Sequence, residues 1–166
     1  MHFMKRCRMP ALVLTIGAGL LMAAAPAAAQ TVKWRTVIGI MQAGNVVAGI
    51  PGGGQPWSAL GGEASVGLMN GRVEFEVRGL VLAGGDTVGN PGAINQVKGT
   101  LVCVTGATPL VFDTPLVTLS PRGDAEFEGS LGPISTACTP DNVVFLVRIA
   151  ANRWIANGAV RSSGNN

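Results

Sequence analysis

The stretch Ala64-Ser65-Val66-Gly67-Leu68-Met69 alternates apolar and small or polar residues, meets Asn70-Gly71, and is followed by a second alternating run, Arg72-Val73-Glu74-Phe75-Glu76-Val77-Arg78. Strict alternation is the signature of a half-buried strand. Asn-Gly between two such runs favours a two-residue type I′ hairpin, because both turn residues must take φ > 0. That turn predicts Leu68 opposite Val73, Val66 opposite Phe75 and Ala64 opposite Val77 on one face. Met69/Arg72, Gly67/Glu74 and Ser65/Glu76 fall on the other. A hairpin with one dry and one wet face needs an antiparallel sheet covered on one side. The chain is thereby committed to sheet architecture.

The remaining segments agree. Val32 to Met41 alternates Val32, Trp34, Thr36, Ile38 and Ile40 against Lys33, Arg35, Val37, Gly39 and Met41. Asn45 to Ile50 reads as a strand turning back through Gln42-Ala43-Gly44, and Gly79 to Leu82 as an extension of the hairpin. Further strands are predicted over Lys98 to Val104, Pro115 to Leu119, Asp124 to Gly129, Val143 to Ala150 and Arg153 to Val160, the last two closing a hairpin near Ala151-Asn152. The 24 glycines and 10 prolines fall between these short apolar runs, as turns between strands do. The expected fold is all-β: an antiparallel β-sandwich, immunoglobulin-like or jelly-roll-like, of about nine strands, with a small closed β-barrel as the alternative.

Residues 1–29 read as an export leader rather than as part of that fold. Lys5, Arg6 and Arg8 precede the apolar run Ala11 to Ala25, and Ala27-Ala28-Ala29 offers a small-residue cleavage site before Gln30. The apolar run is shorter than the ~20 residues of a spanning helix. The expected organisation is a signal peptide over 1–29, one β-domain over 30–160 and a solvated, disordered tail over 161–166. Localisation is then secreted or periplasmic. The chain has 12 Lys+Arg against 9 Asp+Glu, and three of those bases belong to the leader, so the exported domain is close to neutral. A neutral domain carries no electrostatic footprint for nucleic acid. Outside the leader only Cys103 and Cys138 remain. An oxidising compartment would join them.

Residue types exclude much chemistry. The single histidine, His2, lies in the leader, so the domain has no Ser-His-Asp or Cys-His site and no His-ligated zinc centre. No phosphate-binding glycine motif occurs, and Asp86 and Asp113 do not form a calcium loop. No metal or cofactor is expected. The carboxylates Glu74, Glu76, Asp124, Glu126 and Glu128 fall on strand faces, the arrangement from which sandwich glycosidases draw an acid and a base or nucleophile. Arg72 and Arg78 flank the first two, which also fits a solvated face. Arg122-Gly123-Asp124 is either an exposed recognition tripeptide or a tight turn between strands. Two loops rich in Gly, Pro and Asn, over 51–57 and 84–95, are the expected binding surface, with Gln55, Trp57, Asp86 and Asn90 as candidate contacts.

The runs Gly61-Gly62-Glu63-Ala64-Ser65-Val66 and Val73-Glu74-Phe75-Glu76-Val77-Arg78-Gly79-Leu80 resemble the opening hairpin of CHRD domains, with the likeness extending over residues 61–104. That resemblance implies an exported β-sandwich with a binding or structural role. The functional expectation is therefore a non-catalytic exported β-domain acting on an unknown protein or envelope glycan. The alternatives are a secreted carboxylate-dependent glycoside hydrolase and a small β-barrel protease inhibitor.

Overall fold

The computed structural model describes residues 30–165, with side chains over 30–162. The leader assigned to 1–29 and the last tail residue lie outside the described residues. Among these there is no helix. The strands are β1 (Gln30–Gly39), β2 (Val46–Val47), β3 (Ile50–Pro51), β4 (Trp57–Ser58), β5 (Gly61–Gly67), β6 (Arg72–Arg78) and β7 (Val81–Leu82). They continue with β8 (Gln96–Cys103), β9 (Leu110–Asp113), β10 (Val117–Thr118), β11 (Ala125–Ser130), β12 (Val143–Ile149) and β13 (Trp154–Asn165).

Nine of these form one antiparallel sheet in the order β10-β8-β12-β13-β1-β5-β6-β11, with β9 also on β8. The two end strands, β10 and β11, are consecutive in sequence. They are joined by a tight turn in which Ser120 N–H donates to Asp124 O and Gly123 N–H to Ser120 O, both at 2.8 Å. The sheet is therefore curled, as in a sandwich or barrel.

The β5–β6 hairpin has the predicted faces but another register. Val66 lies opposite Val73 and Ala64 opposite Phe75, two residues away from the predicted pairing. A shift of two preserves every side chain's face. Its cause is a wider loop: Gly71 N–H donates to Gly67 O at 2.8 Å and Leu68 N–H to Gln30 O at 2.9 Å. Leu68 is thereby drawn onto β1 and buried. Gly71 has φ 68, but Asn70 does not take a positive φ, so no type I′ turn forms there. That geometry occurs instead at Ala48 (φ 49) and Gly49 (φ 77), which close the β2–β3 ribbon. Residues 45–50 consequently fold on themselves rather than forming one strand against β1.

Three further expectations are corrected. In β1 the inward face switches after Trp34: Val37 is buried and Ile38 is 46% exposed. The ladder to β13 skips Arg35, opposite which Val160 takes φ 51. Gly79, at φ 60, ends β6, and the next residues form β7 against β4 instead of prolonging the hairpin. Finally, β13 continues through residues 161–165, read as a solvated tail, pairing with β1 as far as Gln30↔Asn165.

The core inside the curl is aromatic at its centre. Phe145 on β12 packs 5.7 Å from Phe75 on β6 and 5.6 Å from Trp34 on β1, ring centre to ring centre. Gly99 makes room for this, since a Cβ there would sit 2.7 Å from Phe75 and 2.9 Å from Phe145. The disulfide Cys103–Cys138 forms with a Cα–Cα distance of 5.5 Å, tying the loop over 131–142 to the end of β8.

Candidate functional site

Two surfaces bring together the residues singled out from sequence. The first is the outer face of β5, β6 and β11. Because side chains alternate, the wet positions of three adjacent strands align. Glu63, Glu76 and Glu126 form one cross-strand row, and Ser65, Glu74 and Glu128 the next. Directly opposed side chains on a sheet lie about 4.5–5.5 Å apart at Cβ. The glutamates surround a shallow depression of about 450 Å³. Arg72 pairs with Glu128, and Arg78 lies 3.3 Å from Glu76. Glu63, which sequence reasoning left out, joins the cluster because only the register places it opposite Glu76.

Asp124 adjoins these acids, lining a neighbouring depression with Glu76 and Glu126, and its carboxylate is also engaged in a turn. Its carboxylate accepts from Gly79 N–H at 3.0 Å and from Ser120 Oγ at 3.3 Å. The Arg122-Gly123-Asp124 tripeptide is thus a joint between β10 and β11, further held by Leu80 N–H donating to Gly123 O at 2.8 Å.

Besides its glutamates the depression is lined by Phe75, which is buried, and Phe127, which is half-buried. Its carboxylates are exposed or half-exposed, whereas a glycosidase shelters its general acid against apolar walls. No tryptophan offers a sugar ring a platform there, for Trp34, Trp57 and Trp154 are each only 3% exposed. No group of three His, Cys, Asp or Glu among the described residues is placed to hold a metal ion.

The second surface is where the loops over 51–57 and 84–95 meet. Ala83 N–H donates to Pro56 O at 2.9 Å, and Trp57 on β4 pairs with Leu82 on β7. They border an open apolar pocket of about 210 Å³ that includes Gln55 and Trp57 in its lining. Trp57 does not present an exposed ring, as its loop position suggested; it is packed inward. Asp86 and Asn90 are exposed and do not line this pocket. Asn90 holds its own loop, accepting Gly92 N–H on Oδ1 at 2.8 Å and Leu82 N–H on its carbonyl at 3.0 Å.

Sequence reasoning missed one polar network. Asp113 on β9 accepts from Lys98 Nζ and Thr100 Oγ1, each at 2.6 Å, and from Arg148 at 3.1 Å. Arg148 also donates twice to Asn152 O, at 3.2 and 3.1 Å. Burial works against the charge on Asp113, but the Lys98 and Thr100 hydrogen bonds and the Arg148 and Lys98 charges outweigh it and hold its carboxyl below the usual value. The network joins β8, β9, β12 and the turn to β13. Lys98 and Thr100 share β8, but Asp113 and Arg148 come from other strands, so no local motif announces it.

In comparisons with known proteins, no family, no curated protein and no solved structure matches this chain.

Proposed function

We propose that the chain is an exported, non-catalytic β-domain that binds a basic partner of the cell envelope through the outer face of β5, β6 and β11. The CHRD-like stretch over 61–104, with its implied binding or structural role, belongs to the same proposal. So does cleavage of the leader near Ala29.

One observation carries the reading: Glu63, Glu76 and Glu126 stand directly opposite one another across three strands, with Glu74 opposite Glu128 beside them. Like charges facing across a ladder destabilise a sheet. A stack of glutamates therefore does not serve the fold, and an open acidic face with Arg72 and Arg78 at its margins suits a cationic surface. The openness of the carboxylates and the burial of the tryptophans favour binding over glycoside hydrolysis. The two glycine-rich loops lean on each other, with Gly84 against Pro56, which disfavours a single projecting inhibitor loop.

The test is calorimetric titration of the full chain with a lysine-rich peptide as probe, beside a panel of envelope glycans. The reading predicts saturable peptide binding that weakens with salt and is lost when Glu63, Glu74, Glu76, Glu126 and Glu128 are changed to Gln. Glycan turnover abolished by Glu74→Gln or Glu126→Gln would replace it with the hydrolase.

A further inference from the structure

β11 ends the main sheet. It pairs with β6 along one side, from Ala125 to Ser130, and among the described residues no strand pairs along the other. Alternation decides which backbone groups are left there. In an antiparallel ladder successive residues send their N–H and C=O to opposite sides. Gly123 O accepts from Leu80 N–H at 2.8 Å and Leu131 N–H donates to Gly71 O at 2.9 Å, so the odd positions of this stretch serve the β6 side. Asp124 serves the other: its C=O accepts from Ser120 N–H at 2.8 Å and its N–H donates to Ser120 Oγ at 3.0 Å. The register between is unbroken, so Glu126, Glu128 and Ser130 each aim an N–H and a C=O at the open side. None of these groups has a backbone partner among the described residues.

β10 does not close the gap. Beyond the Ser120–Asp124 joint it turns away to pair with β8. A depression of about 390 Å³ opens there, with Val117 and Thr118 from β10 and Ala125 and Glu126 from β11 in its lining.

The side chains at this edge select what can fill it. The outer rows Glu63, Glu76, Glu126 and Ser65, Glu74, Glu128 both end on β11, so the next position in each row belongs to whatever strand is added. A second copy of β11 would bring its own Glu126, Glu128 or Ser130 there, because only these residues carry the free backbone groups. Like charges opposed across a ladder destabilise it, and charged edges keep sheets from pairing with their own kind. Lysine or arginine at those positions reverses the sign. Between them, on the inner face, Phe127 stands opposite Phe75 and is still half-buried, which suits an apolar neighbour.

We infer that the free edge of β11 takes up an extended segment of a partner protein as an added strand, in which cationic and apolar residues alternate. The cations continue the two acidic rows, the apolar residues cover Phe127, and the main chain pairs with Glu126, Glu128 and Ser130. This rests on the acidic-face reading and gives its basic partner a form.

The probe is a short end-capped peptide of strictly alternating lysine and valine, titrated into the full chain while amide hydrogen exchange is followed by nuclear magnetic resonance. In the free protein the amides of Glu126, Glu128 and Ser130 should exchange fast and those of Phe127 and Gly129 slowly. Saturating peptide should slow the first three about tenfold or more. Lysines placed opposite Glu126 and Glu128 turn their own N–H groups to β11. The same peptide N-methylated at its lysine amides keeps every charge and should bind about tenfold or more weakly. On the protein side, Glu126→Pro removes an edge N–H without touching the β6 ladder, and should weaken the peptide more than Glu126→Gln does. The methylated peptide decides the matter even if Glu126→Pro fails to fold. Equal binding of the two peptides, or saturable binding that leaves the three amides unprotected, would overturn the added strand while the acidic-face reading stands. Absence of binding by either peptide would overturn both.

Discussion

Arg148, almost wholly shielded on β12, meets the carboxylate of Asp113 on β9 at 3.1 Å. These strands do not pair with each other; each pairs with β8. The ion pair, with Lys98 and Thr100 between, therefore fastens β9 across its neighbour.

Removing the carboxylate by Asp113→Asn leaves a buried guanidinium short of its partner. Full burial would make such a loss about 3–5 kcal/mol. The Asp113 side chain is 33% exposed, so solvent screening brings the expected destabilisation to about 1–3 kcal/mol. The sign with pH follows from the lowered native value. The unfolded chain takes up a proton near 3.8 while the native carboxylate still resists it. The contribution is thus complete above that value and disappears as pH falls through the lower native one. Urea unfolding of both proteins from neutral pH to about pH 2 should show the wild-type advantage shrinking at the acid end. A constant difference would disprove the linkage.

Gly99 should tolerate no side chain. Alanine there meets Phe75 and Phe145 at under 3 Å, and overpacking of this kind costs about 1–3 kcal/mol. Phe75→Leu vacates part of the same space. The double variant should therefore be more stable than the sum of the two losses predicts. Simple additivity in chemical denaturation would show that Gly99 and Phe75 do not compete.

The disulfide closes a loop with a sequence separation of 35, for which the chain-entropy model gives about 3–4 kcal/mol. Replacing Cys103 and Cys138 together by Ala should lower the urea midpoint, and reductant should bring the wild type to nearly the same place. An unchanged midpoint in both experiments would contradict a structural role.

On the acidic face the expected effect of mutation is opposite. Among the described residues Glu126 has no ion-pair partner, and it stands opposite Glu76. Glu126→Gln should raise stability by about 0.2–0.5 kcal/mol, more at low salt than at high. A loss of stability would mean that the glutamates support the sheet, and the binding proposal would lose its main argument.

The sequence made some features plain and hid others for physical reasons. Alternation in Ala64 to Arg78 fixed which side chains face inward, because period two survives any even shift in register. The register itself depended on Leu68 reaching β1, a contact distant in sequence. Asn70-Gly71 carries the local signal of a type I′ turn, while Ala48-Gly49 adopts positive φ at both residues with an alanine that gives no local signal. The Cys103–Cys138 link followed from counting. The acids Glu74, Glu76, Asp124, Glu126 and Glu128 were legible as wet-face residues, but Glu63 joined them only through pairing, and the hydrogen bonds that tie Asp124 to Gly79 and Ser120 gave no local signal. Trp57 stands out in sequence as a loop residue of interest, whereas its inward packing depends on pairing with Leu82, distant in sequence.

The central claim, that the β5-β6-β11 face binds a cationic partner without turning it over, is tested most directly by nuclear magnetic resonance. The full chain, isotopically labelled, is titrated with the lysine-rich peptide while backbone amides are followed. The account predicts shifts concentrated around Glu63, Glu74, Glu76, Glu126 and Glu128 that fade as salt is added, with the peptide recovered intact. Shifts confined to other strands, or no shifts at millimolar peptide, would contradict it.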